Sequence, residues 1–340
     1  MIMEEAVNAR EGAPRVALDP DSRMLEAISR TNPENPFHTP AFARALARRG
    51  GRTVAFLAGD AGTTVGCTGL LTRGRVECDL RITSAPAAPA NHPIWAAITT
   101  MARGQGGTRL RLQSFGSPAT HLPALPGERD REQRREYVLT LAADAPPPAL
   151  STNHRRNVRR AQRSGISVAE TVEPDAADLH AALIDQSMAR RRERGEAVGG
   201  PTAADGFRDL LAAGAASLFQ AQAADTTVLA SLLILAAPRG AYYHSAGTSP
   251  AGMQAGAAHL LVTTAAERLA GRGVNRFNLG GAAFDAAGLA RFKSGFGATV
   301  VTLEAATFDL ADGPRRTLVW LARGLRAGCA RVRGPLAVRS

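Results

Sequence analysis

The stretch Val274-Asn275-Arg276-Phe277-Asn278-Leu279-Gly280-Gly281 is followed closely by Arg291-Phe292-Lys293-Ser294-Gly295-Phe296-Gly297. It predicts a strand over 274–279 that stops at two glycines, a short helix over 286–293 and a further strand over 299–307. Of the 41 Lys and Arg residues in the chain, Lys293 is the only lysine. Bulk positive charge here is arginine, in keeping with an Ala- and Gly-rich composition. A lone ammonium in that background points to chemistry, because Lys is a compact charge with a shiftable pKa and Arg a fixed planar fork.

Working outward, the same alternation of strands and helices fills the chain. Before the quoted stretch come helices over 153–163, 178–194 and 206–213. Strands follow over 217–221, 228–236 and 241–245, and a helix over 254–270. The N-terminal half has a helix over 42–49, strands over 53–57, 65–71 and 76–82, a helix over 94–103, and strands over 109–115 and 137–141. Three consecutive prolines within 144–148 break helix and sheet alike and mark a linker. The order predicts an α/β protein of two similar units, 36–148 and 149–310. Residues 1–35 read as a polar lead-in with one short helix. Residues 311–340 read as a basic amphipathic helix with Leu318, Leu321, Leu325, Cys329 and Val332 as its stripe, packing back on the body.

The chain has 340 residues and a formal net charge of +11, and the excess is local. Residues 151–163 carry five arginines and no acid, residues 311–340 carry seven arginines and one acid, and the remainder is balanced at 29 of each sign. The N-terminus carries Glu4, Glu5 and Glu11 and lacks the apolar run of a signal peptide. The longest apolar run, 228–237, is about half of a membrane span. Cys67, Cys78 and Cys329 fit neither a disulfide framework nor a zinc site, so a cytoplasmic location is expected. Metalloprotease, Walker-loop and nucleophile-elbow motifs are absent from the sequence, and neither a metal nor a bound cofactor is expected.

On a helix of about 100° per residue, Arg155, Arg156, Arg159, Arg160 and Arg163 fall within an arc of about 140°. Val158 and Ala161 lie opposite, Ser151, Thr152 or Asn153 supplies an N-cap and Gly165 a stop. Five cations on one face repel one another unless a polyanion covers them. A solvated face is the alternative, but such faces usually interleave both signs. With 5% aromatic residues, a structured RNA stem suits this helix better than a single strand.

In order, the arginine helix, the strands around Tyr242-Tyr243, the Phe277-Asn278-Leu279-Gly280-Gly281 segment and the Phe292-Lys293-x-Gly295-Phe296-Gly297 ending resemble the FemABX-like aminoacyl-tRNA-dependent transferases. The resemblance covers about residues 150–305; the first unit matches only in the order of its elements. It implies two GNAT-like domains, each a mixed sheet flanked by helices, with an acceptor side in the first and a catalytic, tRNA side in the second. It implies transfer of an amino acid from the tRNA 3′ ester to an amine, forming a peptide bond. The acceptor would be a peptidoglycan precursor, or the amine of a natural product as in antibiotic biosynthesis. Lys293 would be the catalytic lysine, with Phe292 beside it and Tyr243, His244 or Asp285 as the base. Arg155, Arg156, Arg159, Arg160, Arg163, Arg315, Arg323 and Arg326 would hold the tRNA, which is a co-substrate. The early Trp-x-x-x-Lys segment of the peptidoglycan-type members is replaced by Phe42-Ala43-Arg44-Ala45-Leu46, leaving Arg44 or Arg48 as substitutes and a smaller amine open.

Two other readings remain at this stage. An acyl-CoA-dependent N-acyltransferase of the same fold would use Gly252-Met253-Gln254-Ala255-Gly256-Ala257-Ala258, a shortened version of the pyrophosphate loop. A non-catalytic RNA-binding protein would use both basic segments and have no special need for Lys293.

Overall fold

The computed structural model describes residues 13–59, 64–117, 121–142, 149–196, 198–282 and 286–311. The C-terminal stretch expected to form a basic helix, with Arg315, Arg323 and Arg326, lies outside these residues, as does Asp285.

The first unit begins with β1 (Arg15–Leu18) and α1 (Ser22–Thr31), a short 3-10 turn Pro36–His38 and α2 (Pro40–Ala47). Then come β2 (Arg52–Ala58), β3 (Val65–Arg73), β4 (Cys78–Ile82), α3 (Pro93–Gly104) and β5 (Arg109–Leu112). After β6 (Glu128–Thr140), the second unit follows as α4 (Thr152–Arg163), β7 (Ser167–Thr171), α5 (Ala176–Glu193) and α6 (Asp205–Ala212). It continues with β8 (Ala216–Gln222), β9 (Val228–Ala236), β10 (Gly240–Thr248), α7 (Pro250–Ala255) and α8 (Ala257–Gly271), and ends with β11 (Arg276–Gly281), α9 (Ala287–Ser294) and β12 (Thr299–Asp309). Three expectations change. Residues 15–31 belong to the fold, β1 pairing with β2 and Ile28 fully buried. The helix expected over 254–270 is two helices broken at Gly256, whose φ of 79° stops the first. Strand β6 begins nine residues earlier than the sequence pattern shows.

Twelve strands form one sheet in the order β1-β2-β3-β4-β5-β12-β6-β11-β10-β9-β8-β7. The duplication is visible in it. An antiparallel β2-β3-β4 meander crosses through α3 to parallel β5, and β8-β9-β10 crosses through α8 to parallel β11. The final strands are exchanged: β6 follows β5 but pairs with β11, while β12 follows β11 but pairs with β5. The two also pair with each other from Thr299↔Val138 to Phe308↔Glu128. The units expected at 36–148 and 149–310 are therefore interlocked. Tyr137 and Leu139 of β6 sit in the second unit's core, and Ala306 and Phe308 of β12 in the first's.

Alternation along the strands separates two apolar layers. Leu232 and Ile234 of β9 face the core that holds α4 and α8; Leu233 and Leu235 face Phe37, Phe42, Leu210, Leu211 and Tyr242. That second layer joins α2 of the first unit to α6 of the second. Buried on both sides, β9 reads as the continuous apolar run seen in the sequence.

Candidate active site

The parallel strands β10 and β11 pair only from Gly240↔Arg276 to Tyr242↔Asn278, after which no further pairs join them. At the same level the β11–β6 register slips between Asn278 and Gly281. Gly280, with φ at 73°, makes this opening possible. A Cβ there would lie 3.5 Å from both Lys293 Nζ and the Tyr242 hydroxyl, and 3.0 Å from the Tyr243 carbonyl.

Into this gap α9 delivers Lys293. Its ammonium donates to the Gly281 carbonyl at 2.5 Å, and it lies 5.4 Å from the centre of the Tyr243 ring. The side chain is only 5% exposed. Burial pulls its pKa from 10.5 down to about 8, while the charge of Glu136 acts the other way. At pH 7 it is mostly an ammonium.

Glu136 is the buried counter-charge and the residue that the sequence pattern missed. Its Oε1 accepts from the Tyr242 hydroxyl at 2.8 Å, and its Oε2 from Asn278 Nδ2 at 2.6 Å and the Gly116 amide at 3.1 Å. Asn278 Oδ1 in turn accepts from the Gly280 amide at 2.8 Å, which fixes the turn beside the lysine. Tyr242 is buried against this carboxylate, and both burial and the negative charge raise its phenol well above 10, so it remains a donor. The only sequence signal for Glu136 was an acid next to an apolar strand; its inward aim depends on the first unit covering that face.

Phe292 faces away from the gap. Its ring packs 5.0 Å from Phe296 and 5.2 Å from His259, and its carbonyl lies 2.8 Å from Nε2 of buried His154. Ser151 caps α4 by accepting from the His154 amide, and its hydroxyl lies 2.9 Å from His154 Nδ1. A Cβ on Gly295 would strike the His154 ring, and Phe296 meets that ring edge-on at 4.5 Å. The Phe-Lys-x-Gly-Phe-Gly spacing thus docks the lysine-bearing helix onto the arginine helix.

On α4, Arg155, Arg156, Arg159, Arg160 and Arg163 are all exposed, while His154, Val158 and Ala161 are buried. Among the described residues none of the five has a carboxylate within ion-pair distance. Arg155 and Arg156 touch only Thr152 and Asn153, Arg160 the Gln254 carbonyl and Arg163 the Arg159 carbonyl.

Tyr243 is partly buried on the α8 side, and burial raises its phenol above its ordinary value. His244 lies against Phe207 on the Tyr242 side, with Nδ1 3.3 Å from the Ser245 hydroxyl. Its ring is open to water yet surrounded by chain; that surrounding, with the Arg49 charge second, lowers it to about 4, so it is neutral at pH 7. Arg44 is exposed and donates to the Ala213 carbonyl at 3.3 Å. Both glycines of the shortened loop are filled by backbone: a Cβ on Gly256 would sit 2.6 Å from the Asn157 carbonyl, and one on Gly252 would strike that of Leu229. Among the described residues there is no cluster of side chains that could hold a metal ion, and no helix is long and apolar enough to cross a membrane.

The family model for an acetyltransferase (GNAT) domain matches residues 150–294. No curated protein sequence matches the chain. Among solved structures, FemX is similar over 91% of this chain and 99% of its own, at 12% identity and a TM-score of 0.67. The C-terminal domain of a protein named as a lysylphosphatidylglycerol synthetase from Agrobacterium fabrum is similar over 89% of this chain and 96% of its own, at 14% identity and 0.51. L-PGS from Bacillus licheniformis is similar over 90% and 97%, at 13% identity and 0.51. The resemblance to the FemABX-like proteins therefore holds for the fold: two GNAT-like domains, mixed strands flanked by helices, in one α/β body.

Proposed function

We propose that the chain passes an amino acid from the 3′ ester of an aminoacyl-tRNA to the amine of a small-molecule, natural-product or peptidoglycan-precursor acceptor. The observation that carries this reading is the coupling of two features. A buried ammonium stands at the gap between β10 and β11, and its helix is bolted through His154 to a helix presenting five exposed arginines that, among the described residues, meet no carboxylate.

The ester is already activated, so the protein has to orient the amine and stabilise the developing oxyanion. In this reading Lys293 donates to that oxyanion as the ammonium. The amine nitrogen bonds to the carbonyl carbon, the bond to the ribose oxygen breaks, and the amine's proton ends on that oxygen. Of the expected bases, His244, lowered to about 4, is a weak proton acceptor, and the raised Tyr243 phenol is not a base at pH 7, so in this reading the proton passes without a protein base. The shared fold with FemX supports the reading, and an arginine face without carboxylate partners among the described residues suits a polyanion.

Transfer from an acyl-CoA is the second reading, favoured by the acetyltransferase domain match over 150–294. Against it, the glycines of its phosphate loop are spent on close backbone packing. The deciding experiment offers labelled aminoacyl-tRNA or acetyl-CoA with pooled amines and adds RNase to one arm. RNase-sensitive transfer from the tRNA is expected; RNase-insensitive transfer from acetyl-CoA overturns the proposal.

A further inference from the structure

A second cation borders the Lys293 gap. Arg134 lies two residues before Glu136 on β6, so both side chains project from one face of the strand. Its guanidinium stacks over Phe115, 3.6 Å from the ring centre, and is half-buried. Phe115 in turn lies 6.3 Å from Tyr242 and 5.9 Å from Phe37. Among the described residues Arg134 has no carboxylate within ion-pair distance, unlike Arg131 on the same strand, which holds Glu128 and Glu304. A stacked guanidinium keeps its in-plane N–H edge free for a planar anion such as a carboxylate.

The placement indicates which substrate supplies that anion. The arginines of α4 stand over the core that contains Val158 and Ala161, on one face of the sheet. Arg134, Phe115 and Tyr242 lie on the other face, beside the layer that joins the two units. Donor and acceptor approaching from opposite faces would meet at Gly280, where Lys293 Nζ and the Tyr242 hydroxyl converge. Both cations also flank a single residue. Gly281 accepts from Lys293 through its carbonyl, and a Cβ on it would lie 3.8 Å from Arg134 Nη2. An extended residue advances about 3.3–3.6 Å, so an amino acid or dipeptide spans from one cation to the other.

We infer that Arg134, stacked on Phe115, receives the carboxylate of the amine acceptor, which is therefore a free amino acid or a short peptide with an unblocked C-terminus. This inference rests on the aminoacyl-transfer reading for its chemistry, but its binding test contains no donor. Calorimetry measures binding of a panel of amino acids and dipeptides, each paired with its C-terminal amide, to the full chain and to Arg134→Gln and Arg134→Lys. The tightest-binding acid is expected to bind about tenfold better than its amide. That preference should fall to within about twofold in Arg134→Gln, with Arg134→Lys between them. In turnover, Arg134→Gln raises KM for the acceptor and leaves KM for the aminoacyl donor unchanged. Equal binding of acid and amide, binding of no member of the panel, or a preference retained in Arg134→Gln with unchanged melting overturns the inference. Loss of the tRNA reading alone, through RNase-insensitive transfer, leaves the acid-over-amide result standing.

Discussion

Lys293 shows how one side chain links pH to both stability and rate. Its pKa falls on folding from 10.5 to about 8, so between these values the unfolded chain binds more protons than the folded one. Stability therefore rises with pH across that window, by about 3 kcal/mol at most. Lys293→Met removes the dependence, and urea melts at pH 8 and pH 10.5 should show the wild type gaining relative to the variant. Rate moves the opposite way. If the ammonium stabilises the oxyanion, the initial rate at saturating substrates falls as pH passes about 8. A rate that instead rises to a plateau above that pH would make Lys293 a base. Lys293→Met should lower kcat by about 10²–10³ with RNA affinity unchanged.

The two helices α4 and α9 act as one piece, because His154 of the first is clamped by Gly295, Phe296 and the Phe292 carbonyl of the second. Gly295→Ala should displace the His154 ring and destabilise by about 1–3 kcal/mol, measured by denaturant titration. On the outer face, five arginines contacting phosphates give an RNA affinity that falls with salt at a log–log slope steeper than about −3. Reversing Arg155 and Arg159 to Glu should flatten that slope by about 2. A slope already flat in the wild type would mean that these arginines do not touch nucleic acid.

Across the whole chain, the exchange of β6 and β12 makes each unit incomplete without the other. Removing residues 1–148 would strip β6 from β11 and expose Phe308, which is fully buried in the first unit's core. Urea unfolding of the full chain should therefore be a single transition, with tryptophan fluorescence of a Trp320→Phe variant, which leaves Trp95 of the first unit as its only tryptophan, and far-ultraviolet circular dichroism superimposing. Two separated transitions would show that the interlock contributes little.

How much could be read in advance depended on whether the signal was local. Strands such as Val228–Ala236 and the capped helix Thr152–Arg163 announce themselves through apolar runs, periodicity and a Ser at the N-cap. Lys293 stood out by composition, and the arginine face by helical geometry. The first half of β6 is charged along its length and gave no strand pattern, because what stabilises it is pairing with β12, more than 150 residues away in the chain. Glu136 was invisible for the same reason. A carboxylate beside an apolar strand looks like a solvated edge until Tyr242, Asn278 and the Gly116 amide close around it. Arg134 was one arginine among many until Phe115 lay beneath it. Secondary structure and the identity of the lone ammonium follow from interactions within a few residues. Which buried charge faces it, and which second cation borders the same gap, are set by contacts between distant segments, which no local pattern encodes.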